Sequence, residues 1–530
     1  MNLPVPGHIA FQTLIHKIES GMIKIPQFQR DFVWEKAKCA DLMDSIIKGY
    51  PIGTFILWKT NERLRSIRNI GGIDLPDTPD GDYIQYVLDG QQRITAIYAT
   101  LKGLTIQRET GDDDLGKMYV DLVAPDDEPI IISDISDKDP KTYIRLHDLL
   151  YGGFKLLANY PSEHHQKLDE YKQRIESYSF PTVSIEYAPI DVATEIFTRI
   201  NVGGKPLSVF EIMVAKTFDT AKTFDLAEKH AELISSLQQV DYDTISNSTI
   251  LQVISTILKR DCTKKTILSI DRHDFIDVWP DAIDAIEHTV DYFRNTYRIP
   301  VSELLPYNAL IVPFAYFFYK HRTKPSGDKQ KYLQDFFWRT SLSERYSHSL
   351  ETRIAQDITR IDDILNDNLP AYDYQINVDP KHIYENGHFS TGRAYIKAIL
   401  CIYAYHEPKS FGDDSIVRIS NDWLKQSNSK NYHHFFPKKY LEKIGVDEFK
   451  RNNILNITIV DDHLNKREIK ANPPSKYMNK FAKTNANIAR TMKTHLIFDI
   501  RSFGIIDDNY NLFLKKRAAA VSKEMAKRII

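Results

Sequence analysis

Two histidines stand side by side in the run Asn431-Tyr432-His433-His434-Phe435-Phe436-Pro437. On an extended segment, neighbouring side chains point to opposite faces, so one ring can hold a metal ion while the other meets a water molecule. Imidazole suits proton abstraction because its pKa lies near neutrality. A divalent ion beside a phosphodiester neutralises the charge that develops as the bond is cut. Downstream lie the apolar run Asn456-Ile457-Thr458-Ile459-Val460, then His463 and Asn465. Lys466, Arg467, Lys470 and Lys476 follow as candidate phosphate contacts. A lone doublet among 17 histidines, flanked by aromatic residues, reads as ordinary packing; the ordered pattern HHFFP, LNITIV and HLNK is far more specific.

Three segments of the first half have a similar concentration of polar chemistry. Ile25-Pro26-Gln27-Phe28-Gln29-Arg30 leads to Phe32-Val33-Trp34, where the tryptophan reads as core packing. Asp89-Gly90-Gln91-Gln92-Arg93 follows a short apolar run and opens a helix, placing backbone N–H groups where an anion can bind. Arg93 in the first helical turn opposes the helix dipole unless an anion accompanies it. Asp89 could hold a metal or polarise water, and Gln91 and Gln92 could align a water or a ribose hydroxyl. Phe197 to Ser208, with Asn201, Gly203 and Gly204, joins two helices. Its Gly-Gly-Lys is a weak phosphate-loop signal, because no full GxxxxGK[ST] run exists in the chain.

The elements that must position these groups follow from hydrophobic periodicity. Thr54–Trp58, Tyr86–Leu88 and Ile130–Ile132 predict strands, and Glu35–Lys48 and Ile94–Leu101 predict helices, so the region to about residue 235 mixes both. Ile250, Leu251, Val253, Ile254, Ile257 and Leu258 repeat at the spacing of a core-facing helix. Further helices are expected over Asp281–Arg294, Lys331–Thr340 and Leu350–Leu365, with Asn366–Asp379 as a loop. Leu304–Tyr319 is very apolar but short for a membrane span, and predicts a helix pair or a kinked core helix. Leu514–Ile530 predicts a helical tail rich in Lys, Arg and Ala. The expected organisation is a multidomain α+β chain: residues 1–235 an α/β domain, 236–414 a helical connector, and 415–530 a module carrying the histidines.

With 530 residues the chain is too long for one core. Cys39, Cys262 and Cys401 are few and scattered, excluding a disulfide scaffold or a zinc-ligand spacing and pointing to a cytoplasmic setting. The opening MNLPVPGHIAFQTL lacks the pattern of a secretory leader, and no membrane partner is expected. The net charge of −2 hides an asymmetry: from Asn421 onward there are 22 Lys and Arg against 11 Asp and Glu, and elsewhere 47 against 60. A basic module on an acidic body fits a polyanionic partner.

The His-His, Asn456 and Asn465 order resembles the His-Me finger (HNH) nuclease motif, a ββα-metal unit. That resemblance implies His433 as a metal ligand, His434 as general base and Asn456 as the asparagine that fastens the loop. It implies Asn465 as the second ligand, with His463 a rival. Many relatives carry an acidic residue where this chain has His433. IPQFQRDFVW, VLDGQQR and FTRINVGGKPLS in turn resemble the ParB/sulfiredoxin-like NTPase domain of GmrSD-type restriction endonucleases, which pair it with such a nuclease half. The resemblance spans about residues 10–220 and 415–480. It implies an NTP-dependent, Mg²⁺- or Mn²⁺-dependent endonuclease that restricts foreign phage DNA carrying modifications. Asp89, Gln92 and Arg93 would act in hydrolysis of GTP, ATP or another NTP. Gln29, Arg30, Asp89, Gly90, Gln91, Gln92, Arg93, Asn201, Gly203 and Gly204 would form the nucleotide pocket. Cutting two strands with one site per chain would suit a homodimer. The rival expectation is a nucleotide-gated DNA-binding regulator with a degenerate nuclease motif.

Overall fold

The computed structural model describes the chain apart from residues 1–2, 27–31, 65, 68, 71–72, 80, 108–111, 126–127, 201–207, 220, 425–431 and 461–468. It divides into two compact units, Met1–Leu226 and Ala227–Ile530. The mixture of strands and helices places it in the α+β class.

The first unit is organised by a six-stranded mixed sheet. Its strands are β1 (Val5–Ala10), β2 (Ile23–Pro26), β3 (Phe55–Thr60), β4 (Ser66–Ile67), β5 (Ile84–Asp89) and β6 (Ser179–Glu186), in the order β1-β6-β3-β5-β2-β4. β3 pairs antiparallel with β5, with a register irregularity at Ile56/Leu57, and β5 pairs parallel with β2. Helices α1 (Phe11–Glu19), α2 (Lys36–Ile47) and α3 (Gln91–Leu101) lay Leu14, Ile18, Met43, Ile46, Ile97 and Leu101 against Phe55, Val87 and Phe180. Burial of such side chains contributes roughly 1.5–3 kcal/mol each. The strands run further than expected, to Thr60 and from Ile84, because Trp58 donates through its indole N–H to Ala188 O (2.9 Å) and Tyr86 accepts from Leu64 N (2.7 Å).

The second unit is mainly helical. Its helices include α4 (Asn247–Lys259), α5 (Arg272–Thr296), α6 (Ile311–Lys320), α7 (Gly327–Leu342), α8 (Leu350–Leu365) and α9 (Ala394–Tyr405). Side-chain caps set two starts: Ser246 accepts from Thr249 N, and Asp271 from His273 N and Asp274 N. α5 begins nine residues before the expected Asp281 and runs through Pro280. Phe275, Ile276, Val278 and Trp279 are all buried along that first half, which offsets the hydrogen bond the proline forfeits. Leu304–Tyr319 resolves into two 3-10 turns followed by α6, with Pro313 in the first helical turn. Residues 366–379 form the expected loop. No helix among the described residues is long and apolar enough to cross a membrane.

The segments expected as a separate connector and a separate basic module share this second unit. The hairpin strands β7 (Tyr432–His434) and β8 (Ile457–Ile459) sit with α9 and α11 (Tyr510–Ala526), and α10 (Pro474–Thr484) meets Phe435, just after β7, through Tyr477. Tyr403 of α9 donates to Ile454 O (3.2 Å), and the buried Arg517 of α11 donates to Ile457 O (3.1 Å). Through these joints α9 supplies part of the core beneath the hairpin.

A buried ion network ties α8 to its surroundings. Asp357, fully buried, receives Arg345 Nε on both oxygens (3.0 Å each) and Arg360 Nη1 (2.5 Å). Removing one partner of such a network leaves uncompensated charge in the interior. Asp357→Ala is therefore expected to cost about 3–5 kcal/mol in urea denaturation; a cost under about 1 kcal/mol would contradict the network's structural role.

Candidate functional site

The hairpin is built from β7 and β8, paired antiparallel with His433 opposite Thr458 and His434 opposite Ile457. What holds it is the run that follows β7 and the asparagine that precedes β8. Phe435 and Phe436 are fully buried; Phe435 stacks on Phe513 (5.0 Å, 9°), and Phe436 meets Tyr510 and Phe513, each at 5.0 Å. Phe435 O accepts from the Tyr477 hydroxyl (2.5 Å). Asn456, also fully buried, binds the intervening peptide on both sides: its Oδ1 accepts from Phe436 N (2.8 Å) and its Nδ2 donates to Phe436 O (3.0 Å). A third bond runs from Nδ2 to Arg451 O (3.2 Å), and Asn456 O accepts from Phe435 N (2.8 Å). Asn456 is thus a fastener, with every polar atom of its amide spent on the backbone that carries the histidines.

The two rings have different surroundings, as alternation along a strand requires. His433 is 2% exposed and lies edge-on to Phe411 (6.5 Å), which also contacts His495 (4.9 Å). Its Nδ1 is buried with no hydrogen-bond partner among the described residues. Burial pushes its pKa down to about 3, helped by the neighbouring His434 and His495, so the ring is neutral. A neutral imidazole with an orphaned nitrogen is what a metal ligand needs, and the residue fits that role. His434 is half-buried and bonded through Nε2 to Asn452 Oδ1 (3.0 Å). Burial pushes it down to about 4; the Asn452 bond opposes this and Lys438 adds to it. His463 and Asn465, the expected further ligands, lie outside the described residues, as do Lys466 and Arg467. Among the described residues no group of three or more His, Cys, Asp or Glu side chains could hold a metal ion.

In the first unit, β5 ends at Asp89 and Gly90 turns the chain into α3 with φ +94°. A side chain there would strike Phe55 (2.4 Å), so the tight turn requires glycine. Arg93 does not project freely. Its Nη1 donates to Ile52 O (2.6 Å), and its Nη2 donates to Thr54 O (3.1 Å) and Asp89 Oδ2 (3.0 Å). The anion that offsets Arg93 against the helix dipole is therefore Asp89. In this arrangement Arg93 holds the turn between β5 and α3. Gln91 and Gln92 are buried, and Gln92 Oε1 accepts from Val33 N (2.9 Å). That bond joins the DGQQR turn to the segment ending in Trp34, which is half-buried on the core with Lys38 Nζ 4.5 Å over its ring. The helix Ile190–Ile200 packs on β5, so the third segment begins beside the same strand. Gln29, Arg30, Asn201, Gly203 and Gly204 lie outside the described residues.

Three contributors escaped the sequence reading. Asn452 belongs to an Asn-Asn pair that carries no signal of its own in the sequence. Gly53 sits in a short Pro-Ile-Gly-Thr loop, yet its φ of +87° and the approach of Arg93 Nη1 to within 2.3 Å of an added Cβ exclude a side chain. His495 is far away in sequence, and no local spacing links it to His433.

Residues 11–218 match the family model described as the GmrSD restriction endonuclease N-terminal domain. The match covers the first unit's DGQQR turn and ends well before the histidine hairpin. The chain is also similar to the uncharacterized protein MJ0686 of Methanocaldococcus jannaschii. The two are 24% identical over 596 aligned positions, covering 97% of this chain and 98% of the relative.

The buried imidazoles make stability depend on pH. His433 and His495 have folded pKa values of about 3, below the usual 6.5. The unfolded chain therefore takes up protons below pH 6.5 that the folded chain refuses, so stability is full above that pH and falls as acid is added. The slope is up to about 1.4 kcal/mol per pH unit for each ring. Urea midpoints of the metal-free protein should drop steadily from pH 7 to 5; a flat profile would contradict neutral burial.

Proposed function

We propose that this chain is a divalent-metal-dependent DNA endonuclease of the restriction type, controlled by a nucleotide at its first unit. The observation that carries the reading is the histidine hairpin fastened by Asn456, on the same chain as a region similar to a restriction endonuclease N-terminal domain. Foreign phage DNA bearing modifications is the proposed substrate.

A bound Mg²⁺ or Mn²⁺ would supply positive charge beside the scissile phosphate. His433 would hold it, together with Asn465 or His463. His434 would take a proton from the attacking water at a ring nitrogen. Asn456 keeps the two rings on opposite faces of one short strand by fixing the peptide at Phe436. Lys470 and Lys476, from the basic last quarter of the chain, offer phosphate contacts.

In the first unit the nucleotide, GTP, ATP or another NTP, would meet the N-terminal end of α3, with Asp89, Gly90, Gln91 and Gln92 around it. Arg93 serves this site by holding the turn, since its guanidinium is already committed to Ile52, Thr54 and Asp89. Two strands cut with one hairpin per chain call for two copies acting together.

The test is cleavage of unmodified, glucosylated and phosphorothioated DNA with Mg²⁺ or Mn²⁺, with and without each NTP. His434→Ala is expected to lower the cutting rate about 10²–10⁴-fold. Wild-type cutting by that variant would defeat the assignment, and DNA binding without cutting under any condition would favour a regulator.

A further inference from the structure

The bond between His434 and Asn452 carries more information than its length. Asn452 Nδ2 lies 3.2 Å from Phe389 O, and Asn452 O accepts from Phe389 N at 2.8 Å. A carbonyl oxygen has no hydrogen to give, so the amide's NH₂ end must face Phe389. Its Oδ1, which only accepts, then faces His434 Nε2 at 3.0 Å. The hydrogen in that bond belongs to Nε2. A neutral imidazole carries a single N–H, so Nδ1 is left with the lone pair.

The neighbourhood makes this orientation hard to reverse. The segment bearing Phe389 is held to the strand entry by two further bonds, Ile454 N to Gly387 O (2.6 Å) and Asn453 Nδ2 to Tyr384 O (3.0 Å). A Cβ on Gly387 would come within 2.6 Å of the Asn453 side chain, so the approach is close. The Phe389 ring stands edge-on to His434 (6.4 Å, 89°) and to Tyr432 (5.2 Å), limiting rotation of the imidazole.

We propose that Asn452 is the positioning residue of the hairpin: held by Phe389, it fixes His434 in the Nε2–H tautomer and leaves Nδ1 as the atom that receives the proton from water. This rests on the assignment of His434 as the base. In the step, the water oxygen forms a bond to phosphorus while the bond to the leaving oxygen breaks; the leaving oxygen departs with the bonding pair and takes up a proton from solvent. The water proton moves to Nδ1. The imidazolium so formed has an N–H at each nitrogen, and Asn452 Oδ1 accepts the one at Nε2 more strongly than before, stabilising the charge. Return of the Nδ1 proton to solvent restores the ring.

The experiment uses the full chain, metal-free, with ¹⁵N-labelled histidine side chains. His434 signals are identified by their loss in His434→Ala, and long-range ¹H–¹⁵N spectra report which nitrogen is protonated. The wild type is expected to show Nε2–H, and Asn452→Leu a mixture of tautomers. In cleavage assays Asn452→Leu should cut about 10²-fold or more slowly, with DNA affinity unchanged within about twofold. Asn452→Asp keeps an acceptor for Nε2 but loses the donor to Phe389 O, so it should keep the Nε2–H tautomer while recovering only part of the rate that Asn452→Leu loses. Nδ1–H in the wild type would overturn the inference, and that reading needs no variant at 452 to fold. Wild-type cutting by Asn452→Leu beside an inactive His434→Ala would overturn the Asn452 role alone. Wild-type cutting by His434→Ala would instead overturn the base assignment on which it rests.

Discussion

The side-chain amide of Asn456 pairs with both polar groups of the Phe436 peptide, and the second unit's candidate site is arranged around that pairing. A buried backbone N–H and C=O cost free energy unless matched, and here one side chain matches both. The pairing fixes where β7 ends, which fixes which face each histidine meets. The aromatic packing of Phe435 and Phe436 on Tyr510 and Phe513 then excludes water from the fastener, where its hydrogen bonds are strongest. The result is a short strand presenting two imidazoles to different environments, one sealed and one bonded to an asparagine at its edge.

The first unit solves a similar problem with charge. Gly90 allows a turn that no other residue could make without striking Phe55, and Arg93 closes it by binding two carbonyls and Asp89. Gly53 leaves room for the guanidinium on the other side. In both units an extended amide or guanidinium group organises backbone around a turn at the end of a strand. The chemistry proposed for each then falls to neighbouring atoms.

Much of this was legible in the residues. α8 lies on the range its periodicity predicts, and the strand–glycine–helix order at Asp89–Arg93 follows from local signals. The alternation of His433 and His434 across a strand follows from period two alone. Tertiary partners were not legible. Arg93 stands in the sequence as a charge that needs an anion beside it; its bonds to Ile52 and Thr54, some forty residues earlier, carry no local signal. Asn452 carries no signal of its own in the sequence; its place is set by the chain from Tyr384 to Phe389 lying along it. The packing of α9 beneath the hairpin is likewise not legible, because an apolar helix does not announce which neighbour it will cover.

The proposed chemistry divides its labour within one doublet, His433 as the ligand and His434 as the base. Titration of the full-length, metal-free chain with Mn²⁺, followed by electron paramagnetic resonance, tests it most directly. The wild type and His434→Ala should each take up one tightly held ion per hairpin, and His433→Ala should lose it. Equal uptake by His433→Ala, or no specific uptake by the wild type, would contradict the assignment.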